Sequence, residues 1–182
     1  MAKLYTGKGD DGSTGVLGKK RVQKSDLRME VIGTMDELSA GLGYAKAQVK
    51  EKPVRDVLEQ IQRDLYAIMS EVAAESSDKA KLQPFTGEKV EYLEKWIAAW
   101  DQDIELPSEF ILPGETILSA AFSVCRTVAR RAERRLVEYS GTIRKVNSEI
   151  LRYANRLSSL LYVLELRFSK KGSKQKLKFA RI

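Results

Sequence analysis

The stretch Asn147-Ser-Glu-Ile-Leu-Arg-Tyr-Ala-Asn-Arg-Leu-Ser-Ser-Leu-Leu-Tyr-Val-Leu-Glu-Leu-Arg-Phe168 decides the fold class. Ile150, Ala154, Leu157, Leu161 and Leu164 recur at steps of four, three, four and three, which places them on one stripe of an α-helix. Asn147 stands ahead of them as an N-cap. Upstream, four further stretches repeat this spacing. The first runs from about Asp26 to Lys50, with Ile32, Met35, Leu38, Leu42, Ala45 and Val49 on one face and Gly33, Gly41 and Gly43 as small surfaces for a close neighbour. The second starts at Pro53 and carries Val57, Ile61, Leu65, Ile68 and Val72; Thr86 caps the third, with Val90, Leu93, Ile97 and Trp100 inward. The fourth extends from about Thr116 to Tyr139. No stretch alternates long enough to claim a sheet, so the expected fold is all-α: a five-helix bundle preceded by an extended, glycine-rich arm.

With 182 residues, 31 % charged and 43 % apolar, the chain is sized for one ordinary domain with a hydrophobic core. Residues 1–168 read as that domain, residues 1–24 as its arm and residues 169–182 as a basic tail. The net charge of +7 comes from the end of the chain: Arg167, Lys170, Lys171, Lys174, Lys176, Lys178 and Arg181 face no acidic residue, leaving 25 basic against 25 acidic residues before them. That pattern reads as a solvated end or as a loose phosphate or partner contact, and not as a nucleic-acid-binding body. No apolar run approaches the roughly 18 residues of a membrane span. Together with the lone Cys125, which has no disulfide partner in the chain, this predicts a cytoplasmic protein. The absence of histidine excludes Ser-His and Cys-His nucleophiles and His-bound zinc, leaving carboxylates, Arg, Lys, hydroxyls or a bound reactant to carry any chemistry.

Two regions invite such chemistry. The arm, Tyr5-Thr-Gly-Lys-Gly-Asp-Asp-Gly-Ser-Thr-Gly-Val-Leu-Gly18, holds Gly7, Gly9, Gly12, Gly15 and Gly18 among hydroxyls and Lys8. Such a loop either cradles phosphate oxygens with its N–H groups or is a terminal segment rich in turn residues. Asp10 and Asp11 beside phosphate call for an intervening cation, which hints at Mg²⁺ held jointly by protein and nucleotide. On the fourth helix, Arg126, Arg130 and Glu133 fall within about 60° on one flank of the apolar stripe, and Arg131 with Arg135 on the other. The first group reads either as an oxyanion grip or as a solvated face with a bundle salt bridge to Asp36 or Glu37. Arg131 and Arg135 read as solvated or as subunit contacts. Asp36 and Asn155 lie just off apolar stripes, as ligands or as polar residues at a core edge.

Together, Tyr5-Thr6-x-x-Gly9-Asp10-x-Gly12-x-Thr14, Arg21-Val22-x-Lys24, Gly33-Thr34-x-Asp36-Glu37-Leu38, Phe110-Ile111-Leu112-Pro113-Gly114, Arg126-Thr127-Val128-x-Arg130-Arg131-Ala132-Glu133-Arg134 and Leu151-Arg152-Tyr153-x-Asn155-Arg156-Leu157-Ser158 resemble the PduO-type corrinoid adenosyltransferases, in that family's order. The resemblance implies a homotrimer with intersubunit sites and transfer of the 5′-deoxyadenosyl group of ATP to cob(I)alamin, releasing triphosphate. It implies an ATP site of Thr6, Gly7, Lys8, Gly9, Thr14, Gly15, Lys24, Arg130, Glu133, Arg134 and Asn155. Asp36 and Arg126 correspond to a pair that holds the intersubunit site together, and they join Arg130 as the residues on which catalysis depends. Phe110 corresponds to the aromatic below the corrin, and Ser159 to a corrinoid contact. Mg²⁺ is expected to arrive with ATP rather than on a dedicated set of side chains. The implied partners are a flavoprotein reductase and an adenosylcobalamin-dependent enzyme, with neither nucleic acid nor membrane. Gly7 stands where relatives carry Lys or Arg, Glu115 where a second Gly is common, and Ser159 where Asp is frequent. The competing readings are a corrinoid and ATP carrier without turnover and a basic helical binding module.

Overall fold

Each apolar stripe read from the sequence forms a helix in the computed structural model, which describes residues 5–18, 20–75, 82–102, 104, 106–172 and 177–180, with side chains described to residue 169 in the last helix. The helices are α1 (Leu27–Gln48), α2 (Lys52–Ala73), α3 (Gly87–Asp101), α4 (Ile117–Thr142) and α5 (Ser148–Gly172). Their starts follow local chemistry. Asp26 accepts the Arg28 N–H at 2.8 Å, and Asn147 accepts the Glu149 N–H at 3.0 Å. Thr116 and Ser119 cap α4 reciprocally, each hydroxyl accepting the other's N–H. Thr86 occupies the N-cap of α3 but makes no side-chain capping bond.

The neighbouring helix pairs are α2 with α1, α1 with α4, α4 with α5 and α5 with α3. The core runs along these seams: Val31, Leu38 and Leu42 of α1, Leu58 and Ile61 of α2, Phe122 and Leu136 of α4, and Leu157, Leu161 and Leu164 of α5 are at most 2 % exposed. Burying one such side chain contributes roughly 1.5–3 kcal/mol. Gly41 permits the close approach of α1 and α4, since a Cβ there would stand 3.2 Å from Cys125 Sγ. Burial pushes the Cys125 thiol up to about 11, so it stays protonated in the packed interior.

Two features depart from the sequence expectation. The arm contains a two-stranded antiparallel ribbon, β1 (Ser13–Gly15) against β2 (Arg21–Gln23), too short to show as an alternating pattern. The end of the chain is not simply a solvated tail. Arg167 pairs with Glu51 at 2.9 Å, α5 continues past residue 168, and Lys178–Ala180 return to the loop before α4. There Leu112 N–H donates to Lys178 O, and Ala180 N–H donates to Phe110 O, both at 2.8 Å. Lys174, Lys176 and Arg181 lie outside the described residues. Among the described residues no helix is long and apolar enough to cross a membrane.

A polar knot ties α2, α3 and α5 together. Asp64, 1 % exposed, accepts Gln60 Nε2 and Tyr153 OH at 3.1 Å and contacts the Lys89 ammonium. Burial and then the Asp64 charge hold the Tyr153 phenol well above its ordinary pKa, so it remains a neutral donor. Breaking a buried pair leaves an uncompensated charge. Asp64→Ala is therefore expected to lower unfolding stability by about 3 kcal/mol in urea denaturation; a loss under about 1 kcal/mol would show that the knot is not a structural tie.

Candidate functional site

The expected site residues fall into two groups on different parts of one chain. The first is the arm. Its reversals use Gly7 and Gly12, with φ of +70° and +81°, values that favour glycine. Lys24 Nζ donates to Gly9 O at 2.7 Å, and Lys24 N–H to Gly12 O at 2.9 Å. Arg21 braces the same loop by donating to Ser13 Oγ and to the carbonyls of Ser13 and Lys8. Asp11 accepts both Ser13 O–H and N–H, at 2.7 and 2.9 Å, and these bonds hold its carboxyl below the ordinary range. The expected phosphate residues Thr6, Gly7, Lys8, Gly9, Thr14, Gly15 and Lys24 thus sit on one braced loop, with the Lys8 side chain exposed.

The arm is fastened to the end of α2. Glu75 pairs with Lys20 at 3.4 Å and with Arg28 at 3.1 Å. Beside this anchor a cavity of about 500 Å³ opens between α1 and α2, lined by Leu17, Ile32, Gly33, Asp36, Tyr66 and Met69 among others.

The second group belongs to α4, α5 and the loop before α4. A cavity of about 490 Å³ is lined by Pro107–Ile111, Arg126, Arg130, Ser158, Ser159 and Tyr162. It unites the expected corrinoid residues Phe110 and Ser159 with Arg126 and Arg130. Phe110 is 78 % exposed, an unusual setting for a phenyl ring, while its backbone is pinned by the returning chain end. Adjacent turns hold Asn155, which donates to Glu133 Oε1 at 2.9 Å and accepts from Arg156 at 2.8 Å. Arg134 donates to the Arg130 carbonyl at 3.2 Å. Arg130 itself is exposed and makes no ion pair among the described residues.

The structure does not bring these halves together within one chain. No hydrogen bond or ion pair of the described residues joins the arm to Arg130, Glu133, Arg134 or Asn155. The bundle salt bridges differ from those expected: Arg126 binds Glu165 at 2.7 Å, Arg131 contacts Glu37, and Arg135 meets Glu138 at 3.1 Å. Asp36 meets none of these arginines and faces the α1–α2 cavity. Sequence reasoning missed Tyr162, Ser158, Glu165 and the return of Lys178–Ala180. Glu165 left a legible signal, an acid inside the apolar run Leu160–Phe168.

Among the described residues no three His, Cys, Asp or Glu side chains converge on a metal position, and Asp11 already serves Ser13.

If Arg21 braces the loop, Arg21→Ala is expected to speed amide hydrogen exchange across residues 8–15 at least tenfold while the thermal midpoint of the bundle moves by less than about 4 °C. Unchanged exchange would remove Arg21 from that role.

The model of the family described as cobalamin adenosyltransferase matches residues 4–168. A corrinoid adenosyltransferase of Citrobacter freundii is 34 % identical over 163 residues, covering 89 % of this chain and 92 % of that protein. The corrinoid adenosyltransferase PduO of the same organism is 40 % identical over 162 residues, which are 88 % of this chain but only 48 % of the longer relative. Among solved structures, a variant PduO-type ATP:corrinoid adenosyltransferase from Lactobacillus reuteri complexed with cobalamin and ATP superposes with a TM-score of 0.88 at 30 % identity, over 99 % of this chain and 100 % of that one. With the fold matched along its full length and the family's motifs gathered in these two groups, the chain belongs to the cobalamin adenosyltransferase family, of the PduO type.

Proposed function

We propose that the arm and Asp36 cavity of one copy close against the α4–α5 face of a neighbouring copy in a homotrimer, each boundary holding one ATP and one corrinoid. The reaction is adenosyl transfer from ATP to the cobalt of cob(I)alamin. The reduced cobalt supplies the electron pair for the new bond to C5′, the C5′–O bond breaks, and its electrons leave with triphosphate. No protein nucleophile is needed, in keeping with a chain that has no histidine.

The observation that carries this reading is the cavity joining Phe110 and Ser159 to Arg130, whose guanidinium lacks an anionic partner among the described residues. Arg130 supplies a fixed cation for charge growing on the leaving group, with Lys8, Lys24 and the arm's N–H groups entering from the neighbouring copy. Glu133 and Arg134 hold that turn of α4, and Asn155 orients Glu133. Asp36 of one copy reaches Arg126 of the next. Phe110 covers the lower corrin face and keeps water from the cobalt, which accords with an apolar ring left 78 % exposed in the isolated chain. Mg²⁺ bound to the triphosphate neutralises part of its charge. Holding the reactants in line contributes through positioning as much as through charge. The buried free thiol of Cys125 accords with a reducing, cytoplasmic setting, where a flavoprotein reductase supplies the electron and an adenosylcobalamin-dependent enzyme takes the product.

Mixing the protein with MgATP and chemically reduced cobalamin is expected to form the light-sensitive cobalt–carbon product. Arg130→Ala is expected to cut kcat by about 100- to 1,000-fold with an unchanged circular dichroism spectrum. Wild-type turnover in that variant would contradict the role given to Arg130.

A further inference from the structure

Glu165 is an anomaly on the buried side of α5. It is 1 % exposed, its Oε2 accepts Arg126 Nε at 2.7 Å, and its Oε1 is buried without a hydrogen-bond partner among the described residues. Burying a carboxylate incurs a desolvation cost that one hydrogen bond does not repay. Arginine–carboxylate pairs frequently close as a two-pronged fork. Here only Nε is used. Both Nη groups of Arg126 lack a hydrogen bond among the described residues, the guanidinium lies 5.6 Å from the centre of the Tyr162 ring, and Arg126 lines the 490 Å³ cavity. The carboxylate behind Nε and the ring beside the guanidinium leave it little freedom, with its remaining donors unspent.

We propose that Glu165 is a positioning residue: from behind the cavity wall it fixes Arg126 by its Nε, so that one Nη group can meet Asp36 of the neighbouring copy while the other is held ready for an oxygen acceptor of the corrinoid. This rests on the cavity being the corrinoid site, as proposed above. Glu165 touches no reactant and acts through Arg126, which distinguishes it from the residues the family resemblance brought forward.

The test compares wild type, E165L, E165Q, R126M and the E165L/R126M double variant. The readouts are KM for cob(I)alamin, KM for ATP, and cob(II)alamin binding followed by absorbance without turnover. E165L is expected to raise the corrinoid KM and dissociation constant at least tenfold and to leave the KM for ATP within about twofold. E165Q retains an acceptor for Nε and is expected to recover most of that loss. The double variant is expected to be no worse than R126M. Wild-type corrinoid values in E165L, a matching rise in the KM for ATP, or multiplying effects in the double variant would overturn the proposal. If E165L does not fold, E165D carries the test: the shortened carboxylate is expected to raise the corrinoid KM several-fold at an unchanged melting temperature, and wild-type behaviour there is equally fatal. The absorbance titration separates the two levels of inference. Cobalamin binding without turnover in wild type would contradict the reaction while still reporting on Glu165, whereas R126M binding corrinoid as tightly as wild type would overturn the cavity assignment and the role of Glu165 with it.

Discussion

A triphosphate carries its negative charge along a chain of oxygens, and the cations suited to meet it stand on separate parts of this molecule. Glu75 fastens the glycine-rich arm to the end of α2 through Lys20 and Arg28. Arg130 stands on the α4–α5 face, outside any ion pair of the described residues. The arm's own cations are partly spent in shaping it, since Lys24 and Arg21 donate to loop carbonyls. In one chain, therefore, the two groups of cations stand apart, and each alone is an incomplete grip for a triphosphate. A second copy that joins them supplies what neither has, and this is the physical ground for proposing that the site spans a subunit boundary.

Packing sets the positions of both halves. Gly41 lets α1 approach Cys125 on α4, so the helix bearing Asp36 and the helix bearing Arg126 and Arg130 share a seam while pointing those groups to different cavities. Thr116 opens α4 and also donates to the Phe168 carbonyl at 3.2 Å, which ties the first turn of α4 to the last turns of α5. Next to that junction the chain end returns to pair with Phe110 and Leu112. An exposed aromatic on an irregular loop is thereby held by backbone hydrogen bonds on a rigid scaffold.

Most of the fold was legible because amphipathic spacing and caps are local signals. Ile150 through Leu164 announced α5 and Asn147 its cap, while Asp26 and Thr116 marked only the starts of their stretches and prove to cap as their residue types require. Pairings between distant positions did not show. Nothing local says that Arg126 meets Glu165 instead of Asp36 or Glu37, because i,i+4 reasoning stops at the edge of a helix. Lys178 and Ala180 were hidden within a basic run whose composition predicts a solvated end, while the backbone bonds they make depend on where the preceding helix delivers the chain. Thr86 was a plausible cap by type, yet makes no capping bond, since capping depends on rotamer as well as identity. The motifs placed the expected site residues on the arm and on α4 and α5, and the separation of these two groups within one chain emerged only from the three-dimensional arrangement.

The composite boundary is tested most directly by mixing two disabled proteins. A variant with a broken arm, Lys8→Ala with Lys24→Ala, is unfolded and refolded together with an Arg130→Ala variant so that subunits exchange, and mixed oligomers are isolated by differential tags. Each parent is expected to be nearly inactive, and the mixture to regain a substantial fraction of wild-type turnover, because some boundaries then combine an intact arm from one copy with an intact Arg130 from the other. Mixed oligomers that form and stay as inactive as their parents would contradict a site shared between copies.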